Sequence, residues 1–183
     1  MHSDFTVSVV FSSLLFAVAA HGAETPDLGR ELSNQDVAAI STTVFPDGTG
    51  LPSGSGNAIS GAVIYKTQCA HCHGADGAGN RQYHVPSLVG EPKHGSDWSM
   101  GYSWPYATSV FDYIRRAMPP YNVKQLSDDE VYAVTAYILE MNKLVSAEEI
   151  MDQNSLPQVE MPASQYFRNK WEEEEQHYRL PEY

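Results

Sequence analysis

Cys69-Ala70-His71-Cys72-His73 is the stretch that most constrains the fold and chemistry of this chain, because a C-x-x-C-H sequence is the attachment signature of a c-type haem. The two thiols can add to the vinyl groups of the porphyrin, and the histidine that follows them can then ligate the iron. The chain contains only two cysteines, so neither thiol remains for a separate disulfide. We therefore predict a single covalent haem c, with Cys69 and Cys72 as its tethers and His73 as its proximal ligand.

Two other interpretations of this motif stay open at the level of sequence. A C-x-x-C pair also occurs in thioredoxin-like redox proteins, although no strand of a βαβ unit is predicted ahead of it here. A zinc ion could bind Cys69, Cys72 and His73, but it would need a fourth ligand from another part of the chain. Haem attachment is the favoured interpretation, because a suitable second iron ligand follows farther along the sequence.

Met118 is the candidate for that second axial ligand. It lies where a predicted helix ends against Pro119-Pro120, and this position would hold its thioether on a stiff loop. Ligation by a thioether favours ferrous iron and raises the reduction potential. Met100 is the best substitute, and His84 and His94 would instead give a bis-histidine site of lower potential.

The proximal histidine needs an acceptor for its other ring nitrogen, because metal-ligating histidines are oriented by an outer hydrogen bond. The backbone carbonyl of Pro86 is the candidate acceptor, and Leu88 is expected to lie against the porphyrin ring. The predicted cofactor-binding residues are Cys69, Cys72, His73, Pro86, Leu88 and Met118. Of these, His73 and Met118 are the predicted ligands of the iron.

An apolar run from Val7 to Ala20, followed by small residues, predicts a secretory signal peptide over residues 1–23. No lysine or arginine precedes the run, and it is too short for a comfortable membrane span. Attachment of haem to both thiols requires an exported, unfolded apoprotein, so we predict a periplasmic protein whose signal peptide is cleaved. No stable membrane insertion is expected, and an uncleaved N-terminal anchor is the alternative.

The chain is strongly acidic, with a formal net charge of −12 at pH 7 and a pI near 4.8. This balance disfavours nucleic acid and anionic membrane surfaces as partners. Acidic residues dominate from Leu144 onward, so the C-terminal part is expected to face a basic patch on a partner protein.

Composition also indicates how the chain is organised. Turn-forming residues crowd the segment before the haem motif, which predicts a loop or an extended arm rather than a core element. The predicted regions are a signal peptide at 1–23, an extended N-terminal arm at 24–56, a haem domain at 57–144 and an acidic C-terminal extension at 145–183.

Three helices are predicted inside the haem domain. The first begins at Asn57 and runs into the motif, as the spacing of its apolar residues indicates. The second begins with Pro105, because proline is favoured at the first helical position, and it ends at Ala117. The third follows a capping box that starts at Ser127 and extends to about Lys143.

Gly61, Tyr65 and Cys69 are spaced by four residues and therefore share one face of the first helix. A glycine inside a helix costs about 1 kcal/mol relative to alanine. Its presence at this point suggests that another backbone crosses closely there, with a merely tolerated glycine as the alternative.

These features resemble class I cytochromes c over residues 57–143. The Gly61-x-x-x-Tyr65-x-x-x-Cys69 spacing resembles the N-terminal helix of that family, and Tyr137 matches an aromatic position in its C-terminal helix. Pro86-x-Leu88 resembles the segment whose carbonyl meets the haem-ligating histidine, and Met118-Pro119-Pro120 is similar to the methionine loop of small bacterial members. The resemblance implies an all-α, class I cytochrome c fold with three to five helices around one covalent haem, extended here by an arm and a tail.

A narrower resemblance is to the cytochrome subunits of bacterial sulfite and sulfur dehydrogenases. Three segments resemble that family, namely Val44–Gly56, Trp104–Pro119 and Leu156–Pro162. In the family, a molybdopterin-type subunit oxidises the sulfur substrate and passes electrons singly to the haem protein. The resemblance implies the same electron-transfer role here, with no catalysis by this chain itself and with a downstream cytochrome or oxidase as acceptor. The acidic cluster Glu172–Glu175 departs from the family pattern.

Two other functions are compatible with the same motif. The protein could be a freely diffusing electron shuttle without a dedicated enzyme. It could also be a haem-based enzyme or ligand-binding protein whose sixth ligand is labile.

Overall fold

The computed structural model describes residues 29–91 and 98–167. The α-helices are α1 Asn34–Ile40, α2 Ala58–Gln68, α3 Ala70–His73, α4 Met100–Ser103, α5 Ala107–Ala117 and α6 Asp128–Met141. Two strands, β1 Ser55–Gly56 and β2 Met151–Asp152, pair antiparallel, and single 3₁₀ turns occupy Arg81–Tyr83, Leu156–Gln158 and Ser164–Tyr166. The predicted all-α class is confirmed, and the six α-helices of the described residues exceed the expected three to five because α3 and α4 are single turns.

Some of the sequence predictions concern residues outside this description. They are the signal peptide at 1–23, the alternative ligand His94 and the acidic cluster Glu172–Glu175. Among the helices that the structure describes, none has the length and apolar character needed to cross a membrane.

Helices α2 and α6 begin where the sequence predicts, because a polar side chain caps each of them. The Asn57 side chain accepts a hydrogen bond from the Ser60 amide at 3.1 Å and starts α2. At the start of α6, the Ser127 hydroxyl accepts from the Glu130 amide, while the Glu130 carboxylate accepts from the Ser127 amide at 2.8 Å. Such reciprocal caps satisfy amide groups that have no partner within the helix.

Helix α5 begins later than predicted. Its N-cap residue Tyr106 is extended, and the backbone of Tyr106 forms an antiparallel bridge with Glu160. Because this long-range pairing keeps Tyr106 out of the helix, Pro105 precedes the helix instead of occupying its first position. The end of α5 agrees with the prediction, since Met118 is an extended C-cap residue followed by Pro119.

Helices α2 and α6 cross in backbone contact at Gly61. A Cβ atom at this position would overlap the carbonyl oxygen of Ala133 and would lie 2.9 Å from the Cβ of Tyr137. The rings of Tyr65 and Tyr137 then meet with their centroids 5.2 Å apart. The close crossing predicted at Gly61 is confirmed, and it depends on the absence of a side chain there.

The hydrophobic core extends into both regions that flank the haem domain. Val44 from the predicted arm, and Met151, Leu156 and Met161 from the predicted extension, are buried in the same cluster as the helices. Strands β1 and β2 join the two regions by pairing Gly56 with Met151. The expectation that the arm contributes no core element is therefore wrong at Val44, and the predicted domain boundaries mark no break in packing.

The arm also contains helix α1, which the sequence analysis did not predict. The Ser33 hydroxyl accepts a hydrogen bond from the Asp36 amide at 3.1 Å, and the Asp36 carboxylate accepts one from the Ser33 amide at 3.1 Å. This capping pair was the local signal for the helix. No long apolar stripe follows it, so hydrophobic periodicity does not indicate this helix.

Candidate functional site

A cavity of about 340 Å³ is bounded by the haem motif, the segment that precedes α4, and helices α5 and α6. Much of its wall is apolar and is formed by residues such as Val110, Ile114, Val134 and Ile138. The predicted cofactor-binding residues all line this one cavity, namely Cys69, Cys72, His73, Pro86, Leu88 and Met118. The structure thus brings together residues that are separated by up to 49 positions in the sequence (118 − 69).

The haem motif turns tightly from α2 into α3. The Cys69 amide ends α2 by donating to the Tyr65 carbonyl at 2.9 Å. The amides of Cys72 and His73 then donate to the Cys69 carbonyl at 3.1 and 3.0 Å. This compact turn presents two free, half-buried thiols and an imidazole to the same cavity.

The environment of the thiols disfavours the dithiol interpretation. Burial, followed by the nearby Cys72, raises the pKa of the Cys69 thiol to about 11. Reactive dithiols of the C-x-x-C type show the opposite shift, because they depend on a readily formed thiolate. Cys69 is thus poorly suited to thiol–disulfide exchange.

The described residues do not supply a zinc ligand set. Within residues 29–91 and 98–167, no three histidine, cysteine, aspartate or glutamate side chains converge as a metal-binding cluster. A structural zinc site needs four such donors at tetrahedral positions. The donors around the cavity therefore do not fit zinc.

His73 lies in a setting that keeps its ring neutral. Burial is the main cause that lowers its pKa, the Pro86 carbonyl opposes this shift, and His71 adds to it. The Nδ1 atom of His73 is buried and makes no hydrogen bond of normal geometry, although the Pro86 carbonyl is close enough to act on the ring. A neutral imidazole with an acceptor beside one nitrogen is the form that binds a metal through the other.

Gly79 holds the Pro86 carbonyl in place from one side. Its amide donates to the His73 carbonyl at 2.8 Å, and its φ of +73° is a conformation that favours glycine. A Cβ atom at Gly79 would lie 2.7 Å from the Pro86 carbonyl oxygen and 2.5 Å from that of Val85. The loop after the motif is thus fitted against the segment predicted to orient the histidine.

Met118 and Met100 both line the cavity but belong to different walls. The Met100 amide donates to the Ser87 carbonyl at 3.0 Å, so Met100 lies beside the segment that contains Pro86. Met118 instead caps the end of α5, next to Pro119. This arrangement favours Met118 as the partner of His73 across the cavity, and the ligand assignment remains a prediction.

His84 also reaches the edge of the cavity. It is exposed and has a left-handed backbone conformation, with φ 56° and ψ 28°, at the end of a 3₁₀ turn. His84 precedes Pro86 by two residues and therefore lies on the same side of the cavity as the carbonyl beside His73. The other histidine of the predicted bis-histidine alternative, His94, lies outside the described residues.

The sequence analysis missed Tyr121 as a residue of the site. Tyr121 lines the cavity, and its ring centroid lies 5.5 Å from that of His71. Its hydroxyl donates to Oε1 of Gln68 at 3.2 Å, which joins the loop after Met118 to the haem motif. The only local signal was its position directly after two prolines, and nothing nearby indicated a partner 53 residues away.

The residues around the cavity fit a haem c. An apolar space contains two free thiols, a neutral imidazole and a thioether, which is the donor set of a His/Met c-type haem. The orphaned Nδ1 atom of His73 beside the Pro86 carbonyl is the outer contact that such a ligand requires.

Known proteins resemble this chain at the level of sequence. Residues 56–138 match the family model described as cytochrome c oxidase, cbb3-type, subunit III. The chain is 34% identical over 90 residues to the thiosulfate dehydrogenase of Stutzerimonas stutzeri (strain A1501). The aligned region covers 48% of this chain. The chain spans only 28% of the length of that curated relative.

A solved structure is similar over a larger part of the chain. A chain from the crystal structure of the sulfane dehydrogenase SoxCD from Paracoccus pantotrophus superposes with a TM-score of 0.70 at 32% sequence identity. The match covers 86% of this chain and 80% of that one. With the helix crossing at Gly61 and the cavity that joins the C-x-x-C-H motif to Met118, these similarities show that the chain belongs to the cytochrome c family, whose cofactor is haem c.

Proposed function

We propose that this chain carries one haem c, attached through thioether bonds to Cys69 and Cys72, with His73 and Met118 as the axial ligands of the iron. The observation that carries the proposal is the single cavity to which both thiols, the imidazole and the thioether are exposed. When bound, the haem supplies a one-electron couple between ferric and ferrous iron.

The protein residues divide the remaining tasks. Cys69 and Cys72 tether the cofactor, and the Pro86 carbonyl orients the ring of His73. Apolar side chains such as Val110 and Ile138 exclude water from the cavity. A dry, low-dielectric surrounding disfavours added charge, so these walls influence the reduction potential together with the thioether.

The proposed role is electron transfer. The chain would accept single electrons from a molybdenum-dependent sulfite or sulfur dehydrogenase subunit and would deliver them to a downstream cytochrome or oxidase. Support comes from the 32% identity with a chain of a sulfane dehydrogenase and from the 34% identity with a thiosulfate dehydrogenase.

A periplasmic location is part of the proposal. It is supported by the apolar run from Val7 to Ala20 and by the need to attach haem to an exported, unfolded chain. Fractionation of cells that express the full chain should place the haem-stained protein in the periplasm, and cytoplasmic recovery of the holoprotein would contradict this part.

The ligand assignment can be tested with two methionine variants. Met118→Leu should lose the weak near-infrared band that marks methionine ligation of ferric haem, and its reduced form should bind carbon monoxide. Met100→Leu is the matched control, because Met100 lines the same cavity from the other wall. The reverse pattern would identify Met100 as the ligand, and ready binding of carbon monoxide by the unaltered protein would favour a labile sixth position.

The partner assignment needs the purified holoprotein and a molybdenum-dependent dehydrogenase from the same cells. Addition of sulfite, or of thiosulfate in a parallel reaction, should reduce the haem only when the dehydrogenase is present. Size-exclusion chromatography of the native extract should show both proteins in one peak. Elution as a monomer would instead favour a free shuttle, and a lack of reduction by either substrate would contradict the proposed donor.

A further inference from the structure

Asn142 joins the end of helix α6 to the segment that contains Leu88. Its side-chain Oδ1 accepts a hydrogen bond from the Gly90 amide at 3.0 Å, and its Nδ2 donates to the Leu88 carbonyl at 2.9 Å. The same Nδ2 group donates to the Ile138 carbonyl at 2.8 Å within α6. The amide thus uses both its acceptor and its donors, which neither a carboxylate nor an apolar side chain can reproduce.

Helix α4 closes over this amide from the other side. A Cβ atom at Gly101 would overlap the side chain of Asn142, so a glycine is required for the approach. The Gly101 amide donates to the Leu88 carbonyl at 3.2 Å, and this carbonyl therefore receives donors from both Gly101 and Asn142. The hydroxyl of Ser99 donates a hydrogen bond to the carbonyl of Gly90. The amide of the same glycine donates to Asn142.

The fixed segment is continuous with the carbonyl that faces the histidine. Pro86 lies two residues before Leu88, whose own amide donates to the Gly77 carbonyl at 2.8 Å. Ser87, between them, accepts from the Met100 amide at 3.0 Å. The Pro86 carbonyl is thus connected to anchored backbone, and the buried Nδ1 of His73 has no other acceptor among the described residues.

We propose that Asn142 is a positioning residue for His73, which acts by fixing the backbone from Leu88 to Gly90 and, through it, the Pro86 carbonyl. The inference rests on the proposed ligation of haem iron by His73. An outer hydrogen bond makes a ligating imidazole a stronger donor, which favours ferric iron. Loss of the Asn142 amide therefore weakens this contact and raises the reduction potential.

The test compares variants of Asn142 with a control on the same helix. Asn142→Leu keeps the approximate shape of the side chain and removes its hydrogen bonds without adding charge. Asn142→Ser is a smaller second variant that cannot reach Gly90 and Leu88, in case the leucine disturbs folding. Thr135→Val is the control, because the Thr135 hydroxyl is fully buried on α6 and makes no hydrogen bond in the described part of the chain.

Both Asn142 variants should shift the ferric–ferrous equilibrium by roughly tenfold toward ferrous iron, which corresponds to about 59 mV for one electron. Thr135→Val should leave the potential unchanged, and the near-infrared methionine band should persist in all three variants. A lower free energy of unfolding without a change in potential would show that Asn142 is merely structural and would overturn the inference. An equal shift in Thr135→Val would overturn it as well.

A measurement on the unaltered holoprotein tests the same inference without a substitution. The Nδ1 proton of His73, observed by nitrogen-edited NMR, should be protected from exchange with solvent, and Asn142→Ser should reduce this protection. Rapid exchange in the unaltered protein would overturn the inference. If the absorption spectrum of the unaltered protein shows no histidine-ligated haem, the proposed function itself fails. If the haem is present and only the proton exchange is rapid, the inference about Asn142 alone fails.

Discussion

The two walls of the haem cavity are held in different ways. The histidine wall comprises Cys69–His73, Pro86–Gly90 and Met100–Gly101, and the methionine wall comprises residues 114–126. In the histidine wall, Asn142 links the backbone to α6 through a partly buried hydrogen bond to the Leu88 carbonyl and an exposed one from the Gly90 amide. In the methionine wall, the contacts to the haem motif come from Tyr121, whose side chain is 60% exposed, and from other exposed polar groups.

The two walls differ in how strongly water competes for their hydrogen bonds. A hydrogen bond at the surface competes with water and contributes little net stability, whereas a buried group without its partner costs about 1–3 kcal/mol. The histidine wall is therefore expected to stay closed under conditions in which the methionine wall opens locally. A cytochrome built in this way would keep its proximal ligand fixed while its sixth ligand remains the more exchangeable one.

The largest expected effect comes from breaking the helix crossing that supports the histidine wall. Gly61→Val would force a side chain into the carbonyl of Ala133, and we expect a loss of about 3 kcal/mol or more in the free energy of unfolding. Ala62→Val is the matched control, because it introduces the same side chain at a half-buried neighbour. Urea unfolding of both holoproteins measures the difference, and equal losses would contradict the close crossing.

A second effect should arise at Gly79, which packs against the Pro86 carbonyl of the histidine wall. Gly79→Ala and Gly90→Ala share the cost of a left-handed backbone, about 1–2 kcal/mol, since their φ angles are +73° and +77°. A Cβ at Gly79 would meet the Pro86 and Val85 carbonyls, whereas none of the described residues lies within 4 Å of a Cβ at Gly90. Gly79→Ala should therefore be the less stable variant and should also shift the reduction potential. Identical unfolding curves and potentials for the two variants would show that the contact with Pro86 has no effect.

A smaller effect concerns Tyr65 at the base of the histidine wall. Its hydroxyl donates to the Gly74 carbonyl at 2.9 Å, so Tyr65→Phe should cost about 0.5–1.5 kcal/mol of the free energy of unfolding. Burial, followed by the nearby Cys69, raises the pKa of Tyr65, and the burial contribution persists when Cys69 forms a thioether.

The direction of this shift predicts a pH dependence. Because the folded state holds the phenol proton more tightly than the unfolded state does, stability is fully present below about pH 10 and declines as the pH rises beyond it. Tyr65→Phe should make this alkaline decline shallower, whereas Tyr83→Phe, at a side chain that is 71% exposed, should not. Parallel declines for Tyr65→Phe and the unaltered protein between pH 9 and 11, a range set around the ordinary tyrosine pKa of about 10, would contradict the assignment.

The smallest effect on stability is expected in the methionine wall. Oε1 of Gln68 accepts hydrogen bonds from the Tyr121 hydroxyl at 3.2 Å and from Nε2 of Gln125 at 3.0 Å. Gln68→Ala removes both exposed contacts and should cost less than about 1 kcal/mol of unfolding free energy. It should nevertheless accelerate the displacement of Met118, the proposed ligand, by added imidazole, because the loop that follows Met118 loses two of its contacts with Gln68.

Thr67→Ala provides the control for this last comparison. The Thr67 hydroxyl donates within its own helix, to the carbonyls of Val63 and Ile64, and does not reach the methionine loop. Stopped-flow measurement of imidazole binding to the ferric holoprotein should show faster binding in Gln68→Ala only. If both variants bind imidazole at the rate of the unaltered protein, the exposed contacts do not control the sixth ligand.

Much of this comparison could be predicted from local sequence. The C-x-x-C-H motif, the capping box of α6 and the end of α5 at Met118 are signals contained within a few residues, because cap geometry and proline sterics act over one helical turn. The helix crossing was also predictable, since a glycine in the middle of α2 destabilises the helix and is compensated where a second backbone packs into the space it leaves.

The start of α5 was predicted wrongly, because a contact with a distant segment outweighs the local signal. Pro105 is a genuine local signal for a helix start, but the bridge between Tyr106 and Glu160 keeps the chain extended beyond it. Local preference sets what a segment adopts in isolation, and a pairing with a distant segment overrides it.

The sequence by itself determined the chemical groups of the candidate site, because the thiols, the imidazole and the thioether proposed to hold a haem are specified by residue type and by spacing within short motifs. Tertiary structure alone decided which wall each methionine joins, that Met151 and Leu156 complete the core, and that Asn142 and Gly79 fix the segment around Pro86. These contacts join parts of the chain that local periodicity does not connect. Which residues meet in these contacts depends on how the whole chain packs, so they cannot be predicted from any short stretch of sequence.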